Sequence, residues 1–192
     1  MESLEVLERK YHDIEGKFSF IQRRSEQLRR RLDHLPIQIL DTEGKDERQS
    51  LQEEYNCCAM ELLTLPAQLE EMERRRVLAL LEWRSAQFSH LKSKAKSILH
   101  EEMAPLQGRI QQLGQQLENA PEDVGLRDTL KKTKEELSSI ENRYKQADAQ
   151  AAIFASSVAH EVGVSLSSSQ DWEGHARKLA AIVKQEAPSV HL

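Results

Sequence analysis

From Leu4 onward the chain sets a seam side chain alternately three and four residues along: Leu4, Leu7, Tyr11, Ile14, Phe18, Ile21, Ser25, Leu28, Leu32 and Leu35. All but Ser25 are apolar, which is the a/d pattern of a coiled coil, and it predicts an N-terminal helix over 1–35. Pro36 cannot donate a backbone hydrogen bond, so it is expected to end that helix, and 36–47, with the polar run 41–47, reads as a linker. A long helix is expected over 48–118. Tyr55, Cys58, Leu62, Leu65, Leu69 and Met72 keep the heptad spacing, and Pro66 inside that stripe predicts a break. Leu91, Ala95, Leu99 and Met103 then step by four, which turns the stripe around the helix and relaxes a left-handed supercoil. The spacing recovers through Leu106, Ile110, Leu113 and Leu117, with Pro105 as a second candidate break.

Residues 119–125, around Pro121 and Gly125, predict a turn. A return helix over 126–162 carries Leu126, Leu130, Thr133, Leu137, Ile140, Tyr144, Ala147, Ala151, Phe154 and Val158. Two heptad tracts joined by a short turn fold back as an antiparallel helical hairpin. Its expected core is Ile110, Leu113, Leu117, Leu126, Leu130, Leu137, Ile140, Tyr144 and Phe154. Folding about residue 122 places Leu117 near Leu126 and Leu113 near Leu130, and Gly125 is expected to supply unusual backbone angles. A serine-rich linker, 163–169, precedes a short helix over 170–187 with the stripe Trp172, Ala176, Leu179 and Val183. No stretch carries a strand signal. The expected fold is all-α: elongated coiled-coil helices, an antiparallel helical hairpin and a short C-terminal helix.

Phe18 and Phe20 cannot share one helical face. With Leu4 at position a, Phe18 is also at a, whereas Phe20 and Val6 fall at c, fourteen residues apart on the outside. A partner-binding seam of Leu4, Leu7, Tyr11, Ile14, Phe18, Ile21, Leu28, Leu32 and Leu35 is therefore expected, with Val6 and Phe20 forming a second interface. Tracts 4–35 and 51–72 are expected to seek helices outside the hairpin.

Composition fits this plan: 39% hydrophobic and 31% charged residues suit long helices with narrow apolar stripes and wet outer faces. The net charge of −5 argues against general nucleic-acid binding. Basic residues are nonetheless clustered, at Arg23, Arg24, Arg29, Arg30 and Arg31, and again at Arg74, Arg75 and Arg76. They read either as a docking patch for a microtubule, nucleic acid or anionic membrane, or as coiled-coil flanks pairing with a partner's acids. The start, MESLEVLERK, lacks the apolar core of a signal peptide, and the longest apolar run, Val77 to Leu81, is too short to span a membrane. Adjacent Cys57 and Cys58 cannot form an ordinary framework disulfide with each other, so an intracellular, reducing setting is expected.

Chemistry-bearing patterns are sparse. HEE at 100–102 and HEV at 160–162 resemble a zinc-protease motif, but Ala104 and Val164 stand where the second histidine belongs. There is no glycine-rich phosphate loop and no serine elbow. The chain is expected to be no enzyme, with no cofactor, metal or small-molecule substrate.

LERKYHDIEGKFSFIQRRSE, residues 7–26, resembles the opening helix of the second, small coiled-coil subunit of the spindle and kinetochore associated complex. The matching positions are Leu7, Glu8, Tyr11, Glu15, Phe20, Ile21, Gln22 and Arg24. DWEGHARKLAAIV, near the end, resembles the tail of centromere protein H. The first resemblance implies a structural subunit bundled with other coiled-coil subunits in a hetero-oligomer, near microtubules, in the cytoskeleton, cytoplasm or nucleus. The expected role is thus a non-enzymatic scaffold in a kinetochore or spindle complex for chromosome segregation. The alternatives are a helical bundle on anionic or curved membrane, held through the arginines, and a direct microtubule or nucleic-acid binder.

Overall fold

The computed structural model describes residues 2–162 and 172–185, all-α, with no strand among them. The order is α1 (Leu4–Asp41), α2 (Lys45–Ser97), a π-helical segment (Ile98–Met103), α3 (Ala104–Asn119), α4 (Val124–Glu161) and α5 (Trp172–Gln185). The chain divides into two compact units, Met1–Trp83 with Arg177–Leu192, and Arg84–Ala176. The serine-rich segment 163–169 lies outside the described residues.

In the first unit α1 begins at a capped turn, where the Ser3 hydroxyl accepts from the Val6 N–H at 3.4 Å. It does not stop at Pro36 but runs on to Asp41. Pro36 removes one helical hydrogen bond, but it sits on the exposed side, while its neighbour Leu35 is fully buried. Burial of the opposite face offsets the local cost. The expected linker 36–47 shrinks to 42–44. Thr42 Oγ1 donates to the Gln38 carbonyl at 2.7 Å, and the Arg48 guanidinium donates to the Thr42 carbonyl at 2.6 Å. Pro66 behaves as Pro36 does: exposed, next to buried Leu65, and inside an unbroken α2.

α1 and α2 run antiparallel through this unit. Arg31 pairs with Glu54, Arg24 with Glu61 and Lys10 with Glu82, so positions rise along α2 as they fall along α1. The two tracts expected to seek outside helices therefore lie in one intramolecular hairpin. Leu7, Tyr11, Leu28 and Leu35 are buried without any second chain. Farther along α2, Ala79, Leu80, Leu81 and Trp83 are all buried, as in a helix enclosed on more than one side.

In the second unit α4 folds back along the preceding rod. Arg143 meets Glu102 at 2.8 Å and Lys92 meets Asp148 at 2.7 Å. The core here holds Ala95, Ile98 and Ala147, with Ile140 and Tyr144 packed on it. Pro105 does not break this rod; it stands in the first turn of α3, directly after the π segment. The Ala104 N–H bonds back to the Leu99 carbonyl, the longer span of a π turn. A wider helical repeat suits the apolar step of four from Leu99 to Met103; Leu91 and Ala95 precede it in α2.

The turn before α4 is 120–123. Asp123 caps α4, its Oδ1 accepting from the Leu126 N–H at 3.0 Å, and the Arg127 guanidinium donates to the Pro121 carbonyl. Gly125 lies inside α4 rather than at a strained reversal. Its value is space, because a Cβ there would come within 3.2 Å of the capping Oδ1. Leu117 and Leu130 line one depression across the hairpin.

Candidate interaction surface

Two faces of α1 divide the candidate residues. On the inner face Leu7, Tyr11, Leu28 and Leu35 are buried, while Leu4, Ile14, Phe18, Ile21 and Leu32 are half-buried. Tyr11 stacks on Trp83 with ring centroids 5.5 Å apart, and its hydroxyl donates to Glu15 Oε1 at 2.9 Å. The Arg76 guanidinium lies 5.1 Å from the centre of the Phe18 ring, a cation–π contact. This seam is spoken for within the chain.

On the outer face Val6 is 47% and Phe20 65% exposed. They belong to a longer stripe with its own three- and four-residue spacing: Val6, Arg9, Asp13, Gly16, Phe20, Arg23, Gln27, Arg30, His34 and Ile37. Every one of these positions is exposed. From Val6 to Ile37 the stripe covers about 46 Å of helix. Sequence reasoning found only its two apolar c positions. The intervening f positions repeat the same spacing and were the missed signal.

The arginine clusters split. The Arg24 Nε and Arg31 Nε donate to Glu61 at 2.7 Å and Glu54 at 2.6 Å, each with a second guanidinium bond to the same carboxylate. Arg74, Arg75 and Arg76 pair with Glu70, Glu71 and Glu73 on their own helix. Arg23, Arg29 and Arg30 are exposed and meet no carboxylate among the described residues. Five of the eight candidate docking arginines thus have acid partners inside the chain.

These pairs carry a pH signature. Hydrogen bonds from Arg31 and Arg24 hold the Glu54 and Glu61 carboxyls below their ordinary value of 4.5. The folded chain then binds fewer protons than the unfolded chain near that value. The stability they contribute is present above pH 4.5 and is lost as pH falls through the folded values. The urea unfolding midpoint at low salt is expected to drop on acidification below pH 4.5, and Arg24→Gln with Arg31→Gln should flatten that part of the profile. The pairs are solvent-exposed, so the drop is modest and shrinks in high salt.

In the hairpin core Leu113 is buried, and Ile110, Leu117, Leu126, Leu130, Leu137, Ile140, Tyr144 and Phe154 are half-buried. Sequence reasoning missed Ala155 and Ala159, which extend Ala147 and Ala151 at steps of four and are nearly inaccessible. It also left out Phe88, buried in the same unit. The second unit has an open groove of about 430 Å³, with Lys92, Lys96, His100 and Tyr144 among its walls. Lys92 is tied to Asp148 there, and the Ser89 hydroxyl donates to Glu173 at 3.1 Å. Among the described residues no His, Cys, Asp and Glu group converges as a metal site, and no helix is long and apolar enough to cross a membrane. Cys57 is exposed and Cys58 half-buried, both as free thiols.

No family model, curated protein or solved structure matches the chain.

Proposed function

We propose that this chain is a non-enzymatic scaffold subunit of a multi-protein assembly, with coiled-coil subunits as partners. The assembly we favour is a kinetochore or spindle complex in chromosome segregation, working in the nucleus or on the cytoskeleton close to microtubules. The observation that carries the scaffold reading is the outer stripe of α1, exposed along its whole length with Phe20 at its centre. The choice of assembly rests on the resemblance over residues 7–26. Within that stretch Leu7, Tyr11 and Ile21 serve the inner seam and Arg24 serves Glu61, as any such hairpin requires. Phe20 has no structural duty of that kind, so it is the residue to test.

Phe20→Asp is expected to abolish recovery of coiled-coil spindle or kinetochore subunits in affinity purification, with helicity unchanged. Phe18→Asp should reduce both, because it also disturbs the inner seam and the Arg76 contact. Unaltered recovery with Phe20→Asp would overturn the reading. Membrane or polymer docking through arginines is the second reading, favoured by Arg23, Arg29 and Arg30. Co-sedimentation with anionic liposomes and with microtubules at two salt concentrations separates it from the first.

A further inference from the structure

The outer stripe of α1 is complementary to itself when reversed, and we propose that two copies of this chain pair antiparallel along it, about a twofold axis between Ile21 and Gln22. This deepens the scaffold reading, on which it rests, by naming one occupant of that surface. In an antiparallel helix pair, layers match a residue of one stripe position with a residue of the other. Reversing the stripe about its centre puts Val6 opposite Ile37, so the exposed apolar side chains at its two ends cover one another. Asp13 falls opposite Arg30, which has no carboxylate of its own among the described residues. Phe20 falls opposite Arg23, the pairing of a cation with an aromatic face. Each layer occurs twice in the dimer. Arg9 opposite His34 has no attraction, and Gly16 opposite Gln27 is a layer of shape alone.

Shape agrees with charge. The N-terminal half of the stripe carries a groove of about 480 Å³, walled by Asp13, Gly16 and Phe20 together with Lys17 and His12 of α1 and Met72 of α2. Nothing lies within 4 Å of where a Cβ on Gly16 would be. The reversed partner brings the long side chains Gln27 and Arg30 to that groove. One half of the stripe is a hollow left open by Gly16, and the other half supplies long side chains that fill it; Arg30 meets Asp13 there, while Lys17 and His12 on the rim of the hollow bring no further acid. A parallel pairing would set Arg23 against Arg23 and Arg30 against Arg30, which the charges oppose.

The test is a charge swap in the full chain, read by sedimentation equilibrium in reductant so that Cys57 cannot link copies. Wild type should show a concentration-dependent dimer. Asp13→Arg or Arg30→Asp alone places like charges in two layers and should raise the dimer Kd roughly tenfold or more. Both changes together should bring it back to near the wild-type value, because the layers are attractive again. Circular dichroism should be the same for all four proteins, since both positions are exposed. Orientation is read separately, in a background with Cys57→Ser and Cys58→Ala. Asp13→Cys chains mixed with Arg30→Cys chains should cross-link to each other, and neither should cross-link alone. A wild-type chain that stays monomeric, a double variant as weak as the singles, or cross-linking of Asp13→Cys alone would each overturn the pairing. A monomer that still recovers spindle subunits through Phe20 would overturn only this inference and leave the scaffold reading standing.

Discussion

Trp172→Ala should lower the unfolding free energy by about 3–5 kcal/mol, among the largest effects expected from a single residue in this molecule. Trp172 opens α5 and is fully inaccessible to solvent, the largest such side chain in the chain. Removing it leaves a cavity that the second unit must collapse or carry. Its indole Nε1 is buried with no hydrogen-bond acceptor among the described residues. Among the described residues the ring is held by packing, and a buried N–H with no acceptor there is a cost rather than a support. Trp172→Phe should consequently lose far less than the alanine variant, because it keeps most of the packing and removes the unpaired donor. Guanidinium unfolding of the three proteins, followed by helical ellipticity, checks both statements. Equal losses from Phe and Ala would mean that the indole nitrogen has a partner that matters.

The helical character and most helix positions could be read from the sequence, because apolar spacing of three and four is a strong signal over tens of residues. The return of the chain was plain from Pro121, though the turn is shorter than 119–125 and Gly125 belongs to α4. What the spacing cannot say is which helix covers which stripe. An a/d seam such as Leu28 and Leu35 is satisfied as well by α2 of the same chain as by a separate subunit. Pro36 and Pro66 misled for a related reason: local propensity charges a proline in full, whereas burial of Leu35 and Leu65 on the other face decides the outcome. The arginine clusters illustrate a pattern present but unused. Arg24 and Arg31 stand seven apart, as do their partners Glu54 and Glu61, and matched intervals of that kind mark two helices that run side by side. The outer stripe was half-visible through Val6 and Phe20. Its polar members hid it, since Arg23, Gln27 and Arg30 read as ordinary wet surface until their common face is drawn.

Leu28→Ala and Leu35→Ala should each lower stability by about 2–5 kcal/mol, whereas Phe20→Ala should stay within about 0.5 kcal/mol at concentrations where the chain is a monomer. Leu28 is 2% and Leu35 0% exposed, against 65% for Phe20 on the same helix. The contrast is therefore one of facing, with helix propensity nearly constant. The two leucines stand two helical turns apart, about 10 Å, so their losses should be close to additive. The double variant then loses an amount comparable with the whole stability of a small domain, about 5–15 kcal/mol. Melting of the α1–α2 hairpin should show as a large loss of helical ellipticity at room temperature, with α3 and α4 keeping their share. The measurement also decides who covers the inner seam. If the hairpin is the resting state, the cost of Leu28→Ala is independent of protein concentration, because both faces of the contact belong to one chain. A cost that appears only at concentrations where copies associate, or one no larger than that of Phe20→Ala, would mean that α1 finds its cover in another molecule.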